Sequence, residues 1–278
     1  MRNESEKGSA LNNMEISDAD FKRLVQFVQS KYGIDLHQKR QLIVSRLSST
    51  IRGRGFTQFK DYVDYMLTRS NSEDINHLLS RLTTNYTYFM REMGAFDFFR
   101  TRILPDITRK HQRDKSLAIW SAGCSSGEEP YNISMYLMDF LGAQAGAWDT
   151  RLLATDISVE ALSKAKSGIY ELPDTLPANW KRNYFVPADG GKFAVAPRIK
   201  NNVIFQQFNL MEPIRFRRKF DVIFCRNVMI YFDQKTKREL SERFYEATAP
   251  GGYLIISMSE NLDPGTKYRR VGASIFQK

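Results

Sequence analysis

The stretch LAIWSAGCSSGEEP, residues 117–130, constrains the chain more than any other. Leu117, Ala118, Ile119 and Trp120 form an apolar run that reads as a buried strand. The run breaks into the small residues Ser121 to Gly127, and a helical pattern opens with Glu128, Glu129 and Pro130. A strand that ends in glycines and serines and then turns into a helix lets the loop backbone approach a ligand closely, as in parallel α/β sheets. The start of a helix ordinarily receives an anion. Two carboxylates at this one would repel a pyrophosphate and suit a ligand with amino or ribose hydroxyl groups and a positive centre. That chemistry points to S-adenosylmethionine rather than NAD or ATP.

A second mark follows at Leu152-Leu153-Ala154, an apolar run ending in Thr155 and Asp156. An acidic residue closing the second strand of such a unit commonly accepts a ribose hydroxyl pair. The glycine-serine loop alone also fits a plain strand-to-helix turn; loop, carboxylates and Asp156 together favour the cofactor.

Strands and helices alternate through the second half of the chain. Strands are expected at 117–121, 152–155, 203–207, 220–225 and 253–257, and helices at 130–141, 158–166 and 234–248. This order predicts an α/β fold with a mostly parallel, Rossmann-like sheet. Residues 268–271 and 274–277 flank a Gly-Ala turn and read as an antiparallel hairpin at the sheet edge. The stretch 168–202 interrupts the rhythm with four prolines, the pair Gly190-Gly191 and the alternating run Lys192 to Val195. It reads as a small inserted antiparallel β-subdomain, and a loop of that length in a compact domain is usually functional or disordered.

Ahead of this region, residues 1–14 are polar and read as a flexible tail. Residues 15–82 carry helical periodicity: Phe21, Leu24, Val25 and Val28, then Ile43, Leu47 and Ile51, then helices near 59–66 and 74–82. They predict a small all-helical domain. Residues 83–92 read as a linker motif and 93–278 as the α/β domain, opening with a helix over 94–110. The second helix of the helical domain, 38–52, carries Lys39, Arg40, Arg46 and Arg52 and no acidic residue. Its basic face is the candidate partner contact.

The net charge is +10, from 41 Lys and Arg against 31 Asp and Glu. Such a surface favours a polyanionic partner without choosing among nucleic acid, anionic membrane and acidic protein. No apolar run approaches the ~20 residues of a membrane span, and the polar N-terminus lacks the apolar core of a signal peptide. Two cysteines and three histidines offer neither a disulfide framework nor a metal cluster. A reducing cytoplasm is the expected compartment, and no metal is expected.

Ligands of open parallel sheets bind beyond the carboxyl ends of the strands. Arg226 and Asn227 leave the strand 220–225 at that end, with Tyr231 four residues beyond Asn227. A polar residue and an aromatic here are similar to the N-P-P-Y loop of amide and adenine methyltransferases, but the prolines are absent. Asn209 and Leu210 close the strand 203–207. That position flanks an adenine ring, although a turn-forming Asn explains Asn209 as well.

Five motifs in order, TTNYTYFMRE (83–92), WSAGCSSGEEPY (120–131), ATDIS (154–158), SGIY (167–170) and FCRNVMIYFD (224–233), resemble the bacterial chemotaxis receptor glutamate O-methyltransferases, the CheR family. The resemblance runs from about Ser17 to Lys278. It implies methyl transfer from S-adenosylmethionine to glutamate side chains on the cytoplasmic methylation helices of chemotaxis receptors, with S-adenosylhomocysteine as the other product. It implies cofactor contacts at Asn85, Thr87, Arg91, Glu129, Asp156, Asn209, Leu210, Asn227 and Val228, and places Arg91 and Tyr231 near the reacting methyl. Met90 stands where many relatives carry phenylalanine, a change of packing rather than chemistry. In some members the β-subdomain grips a receptor C-terminal peptide. The compact turn Pro187-Ala188-Asp189-Gly190-Gly191 leaves little room for one, so tail-independent recognition by a monomer is the expectation. The competing readings are a nucleic-acid methyltransferase, against which the missing prolines count, and a non-catalytic receptor-binding module, against which the intact set of cofactor positions counts.

Overall fold

A computed structural model describes residues 14–278. The tail read at 1–14 therefore falls, but for Met14, outside the described residues. The chain divides into two compact units, one ending at Thr84 and the other spanning Asn85–Lys278.

The first unit is all-helical: α1 (Asp18–Tyr32), α2 (Arg40–Gly53), α3 (Phe59–Thr68) and α4 (Ser72–Leu82). Ser17 caps α1 by accepting the Asp20 N–H at 3.1 Å, and Gly33 ends it in the left-handed region. Helix α4 starts two residues earlier than the periodicity suggests, because Asn71 and Asp74 form a reciprocal capping box. Asp74 also takes hydrogen bonds from Tyr65 and Arg54. Burial pushes its carboxyl up, but these bonds and the Asn71 N–H outweigh burial and hold it at about 2. Leu24, Val25, Val28, Ile43, Leu47, Ile51, Tyr62 and Leu78 are fully buried, so the apolar stripes are core.

The second unit opens with α5 (Met93–Phe98), which continues through a π turn at Phe99–Ile103 into α6 (Leu104–Lys110). The uninterrupted helix expected at 94–110 is thus widened in its middle. Pro105 lacks an N–H and its ring crowds the carbonyl one turn back, and the Leu104 N–H reaches instead to the Phe99 carbonyl.

The sheet contains β1 (Ile119–Ala122), β2 (Leu152–Asp156), β6 (Val203–Gln207), β7 (Phe220–Cys225), β8 (Thr248–Ile256), β9 (Arg269–Gly272) and β10 (Ile275–Gln277), in the order β6-β2-β1-β7-β8-β10-β9. Pairing is parallel from β6 to β8 and antiparallel for β10 and β9, the expected edge hairpin. Strand β8 begins at Thr248, five residues before the apolar run starts, because α11 (Gln234–Ala247) feeds directly into a segment paired with Phe220. Helices α7 (Glu128–Leu141) and α8 (Val159–Ser167) follow β1 and β2. The strand order reverses between β1 and β7, and a doubly wound sheet opens its ligand crevice there.

The insertion is a three-stranded antiparallel sheet of β3 (Ile169–Tyr170), β5 (Phe193–Val195) and β4 (Phe185–Pro187), as expected for a β-subdomain. It also holds α9 (Ala178–Tyr184) and α10 (Pro197–Lys200), which the proline spacing conceals. Trp180 and Tyr184 anchor α9 by hydrogen bonds to the Asp139 carboxylate of α7.

Candidate active site

The loop after β1 folds round two glycines. Gly123 has φ +85°, and a Cβ there would fall 2.3 Å from Val228 Cγ2. Gly127 has φ +96°, and a Cβ would meet Ala165 Cβ at 2.8 Å and the Tyr170 hydroxyl at 2.9 Å. Only glycine permits both the conformation and the approach. The Gly123 and Cys124 N–H groups donate to the Thr155 carbonyl at 2.8 and 2.9 Å, which ties the ends of β1 and β2 together. Tyr170 of the β-subdomain donates to the Ser126 carbonyl at 2.6 Å, bracing the loop from outside.

Asp156 closes β2 as expected. One carboxylate oxygen accepts the Ser125 N–H and the other the Ser158 N–H, both at 2.8 Å. Burial pushes its carboxyl above the usual range, against the pull of these N–H groups. Each oxygen keeps a further acceptor direction for a hydroxyl. Asn85 joins the same corner: its carbonyl accepts the Ser125 hydroxyl at 2.8 Å and its amide lies 3.4 Å from Ser158 Oγ. Thr87 is half-buried two residues on. The segment 83–92 is not an independent linker from Asn85 onward, because Phe89 and Met90 belong to the core of the second unit.

The two carboxylates that open α7 part company. Glu128 turns inward, buried, and accepts the Ser126 hydroxyl at 2.7 Å. Burial pushes its carboxyl up. It packs the loop and does not present its charge to a ligand, which corrects the picture of a paired acidic entrance. Glu129 alone reaches the centre, accepting from Ser121 Oγ at 2.8 Å and Arg226 Nη1 at 3.0 Å.

Arg226 is the residue whose weight the sequence understates. Its side chain is 2% exposed. It pairs with Glu129, lies 3.5 Å from Glu92, donates to the Arg91 carbonyl and stacks over the Phe96 ring at 5.0 Å. Its buried Nε is without a hydrogen-bond partner. Two carboxylates round one guanidinium leave the cluster net negative, which suits a cationic ligand.

Asn227 adopts the left-handed region at φ +59° and donates its amide to Ser257 Oγ at 2.8 Å and Glu92 Oε1 at 3.2 Å. Val228 lies against Gly123, and Tyr231 is half-buried in the short helical turn Met229–Tyr231. Arg91 is also half-buried. It donates to the Tyr86 carbonyl at 2.8 Å and stacks over the Tyr88 ring at 5.9 Å, held between two left-handed residues, Met90 and Glu92. Asn209 shows its turn-forming role: its side chain accepts the Met211 N–H at 3.0 Å. Leu210 is buried, with its carbonyl on Arg243 at 2.8 Å.

Lys39, which precedes α2, and Arg40, Arg46 and Arg52 within it are not one solvated face. Arg40 donates to the Ile16 carbonyl and to Asp18 and stacks over Phe21. Arg46 caps the end of α4, reaching the Arg81, Leu82 and Thr83 carbonyls and the Thr84 hydroxyl at 2.9–3.3 Å. Lys39 and Arg52 are exposed. The periodicity that placed all four on one helix carries no information about acceptors contributed by α1 and α4.

The donor set fits S-adenosylmethionine: a buried carboxylate for a ribose, a loop that only glycines can fold, and a net negative cluster at the end of β1. Residues 85–275 match the family model described as CheR methyltransferase, SAM binding domain, and residues 19–83 match that of the CheR methyltransferase all-alpha domain. The chain belongs to the CheR methyltransferase family. A chemotaxis protein methyltransferase of Borreliella burgdorferi is 39% identical over 96% of both chains. That of Escherichia coli is 39% identical over 88% of this chain and 85% of its own. A probable chemotaxis protein methyltransferase of Rhizobium etli is 35% identical over 87% of this chain and 92% of its own. This CheR-family protein is an S-adenosylmethionine-dependent methyltransferase of chemotaxis.

Proposed function

We propose that this enzyme esterifies glutamate side chains on the cytoplasmic methylation helices of chemotaxis receptors, acting as a monomer in the cytoplasm and not on nucleic acid. The observation that carries the reading is the kind of titratable group found at the carboxyl ends of the strands. The second unit's one histidine, His111, bonds Asp221 at the opposite end of β7. Cys124 and Cys225 are buried thiols, pushed by burial far above their ordinary range, so neither serves as a nucleophile. With no histidine of the second unit and no accessible thiol there, a nucleophile that arrives already ionised fits the site, because it needs no proton removed. A glutamate side chain, with a pKa near ~4.3, is one at neutral pH.

When bound, the cofactor supplies an electrophilic methyl on a sulfonium. A substrate carboxylate oxygen that took this methyl would leave an ester and a thioether, two neutral groups from an anion and a cation, so strong stabilisation of the separated charges by the protein would slow transfer. The protein's part is orientation and exclusion of water. Asp156 would hold the ribose, while Asn85, Thr87, Asn209, Leu210 and Val228 line the remaining cofactor positions. Glu129 and Asn227 would hold the amino-acid end. Arg91, fixed by Tyr86 and Tyr88, would position the substrate carboxylate rather than clamp it. Tyr231 would hydrogen-bond one carboxylate oxygen and leave the other to attack. Lys39 and Arg52 would meet the acidic receptor helix, and Arg40 and Arg46 would shape the surface that presents them.

The test uses labelled S-adenosylmethionine with receptor-bearing membranes, RNA or buffer, followed by mild base. Methyl esters on carboxylates release volatile methanol, and the release is expected with the membranes alone. Base-stable label on RNA would overturn the reading.

A further inference from the structure

One buried carboxylate plays no part in that mechanism, yet the loop that carries Asn227 and Tyr231 is folded round it. Glu260 follows β8 and is 5% exposed. One of its oxygens accepts the Ser257 N–H at 2.8 Å and the Asn227 N–H at 3.2 Å; the other accepts the Ile230 N–H at 3.1 Å. The loop needs such an acceptor. Asn227 is left-handed and a tight helical turn follows at Met229–Tyr231, so several N–H groups point inward without a helical or strand partner. A second carboxylate completes the arrangement from the other side. Glu92 accepts the Ser257 hydroxyl at 2.9 Å, the Asn227 amide at 3.2 Å and the Met258 N–H at 3.2 Å. Ser257 is therefore the bridge: its N–H binds Glu260, and its hydroxyl meets both Glu92 and the Asn227 amide.

We propose that Glu260 is a positioning residue for methyl transfer: its carboxylate gathers the backbone of residues 227–230, and through that loop sets Tyr231 against the reacting carboxylate. Ser257 and Glu92 lock the same loop through the Asn227 side chain. The inference rests on the reading of Tyr231 given above. Glu260→Gln keeps the shape but replaces one acceptor oxygen with an N–H donor that faces backbone donors. The loop must shift to relieve that contact, and a misplacement near 1 Å costs roughly 100-fold in rate.

The decisive experiment is a double-mutant cycle in the full chain with Glu260→Gln and Tyr231→Phe. Rates are measured on receptor-bearing membranes of the same organism and expressed per S-adenosylhomocysteine-binding site, so that loss of folded enzyme does not register. Each single variant is expected to lower kcat by roughly 10–100-fold; KM for S-adenosylmethionine is expected to change less than about threefold in Tyr231→Phe and to rise in Glu260→Gln, whose loop also carries Asn227. The double variant is expected to be no slower than the slower single one, because the two residues act as a unit. A normal kcat per site in Glu260→Gln beside a slow Tyr231→Phe overturns the inference alone, as do effects that multiply in the double variant. A normal kcat in Tyr231→Phe overturns both the inference and the reading beneath it. If Glu260→Gln does not bind S-adenosylhomocysteine, Glu260→Asp, which keeps the charge on a stem one methylene shorter, takes its place in the cycle, and the same non-additivity decides.

Discussion

Replacing Asp156 with Asn tests the cofactor assignment most directly, because the side chain keeps its size and loses its charge. In the native site each carboxylate oxygen accepts one backbone N–H at 2.8 Å, from Ser125 and from Ser158, and keeps one acceptor direction for a ribose hydroxyl. An amide turns one of those oxygens into a donor. It then faces a backbone donor and offers the ribose nothing on that side. A hydrogen bond to a charged group contributes about 1.5–3 kcal/mol, so losing one from the bound state weakens affinity about 10- to 100-fold. Asp156→Ala removes both acceptors and frees the Ser125 N–H that orders the loop, and its loss exceeds that of Asn. Titration calorimetry with S-adenosylhomocysteine measures the change, and a thermal melt confirms that each variant is folded. Burial holds the Asp156 carboxyl above its ordinary range. Protonation removes the acceptor, so affinity is expected to fall as pH drops through that raised value, and the Asn variant should lose this dependence. A folded Asp156→Asn that binds within about twofold of wild type would refute the reasoning.

Arg46→Ala should destabilise the helical unit by about 1–2 kcal/mol, since it uncaps the carbonyls that end α4; urea denaturation reads this. Receptor docking is therefore better probed with Lys39→Glu and Arg52→Glu, which should slow methylation at low salt and leave S-adenosylhomocysteine binding unchanged. His111 supplies a pH signature in stability. Burial alone would lower its pKa, but the carboxylates of Asp221 at 2.8 Å and Asp114 at 3.0 Å outweigh burial and raise it. The stabilisation is fully present below the unfolded value near ~6.5 and is lost as pH rises through the folded one. Urea midpoints of wild type and His111→Ala should accordingly differ most at pH 6 and converge at alkaline pH, and a constant gap would contradict this. Finally, peptides from the receptor C-termini of the same organism should show no micromolar binding in calorimetry. The β4–β5 turn is closed by the Ala188 N–H on the Lys192 carbonyl at 2.9 Å, with Gly190 and Gly191 both left-handed.

Local periodicity was enough to outline both units. Val203–Gln207 and Phe220–Cys225 are strands over the bounds that their apolar runs mark, and the edge hairpin falls where the Gly-Ala turn puts it. Glycines at 123 and 127 were equally legible, because a left-handed turn after a strand leaves its mark in composition. Asp156 declared itself by ending an apolar run. These features depend on neighbours a few residues apart, and side-chain period and turn chemistry are written at that range.

Pairings between distant segments were decided only by the tertiary structure. Glu128 and Glu129 are adjacent and chemically alike, yet one turns into the core toward Ser126 and the other meets Arg226, far along the chain. Arg46 reads as a surface charge until α4 ends beside it. Glu92 and Glu260 lie in separate segments, and nothing in either segment shows that both serve the loop at 227–230; Glu260 meets it because β7 and β8 are parallel neighbours whose carboxyl ends lie side by side, and Glu92 because the segment before α5 packs into the same unit. An acidic residue in a sequence is a charge without an address. Which N–H groups and cations surround it is fixed by strand order and loop packing, and that surrounding determines whether the charge binds a ligand, holds a loop or is buried in the core.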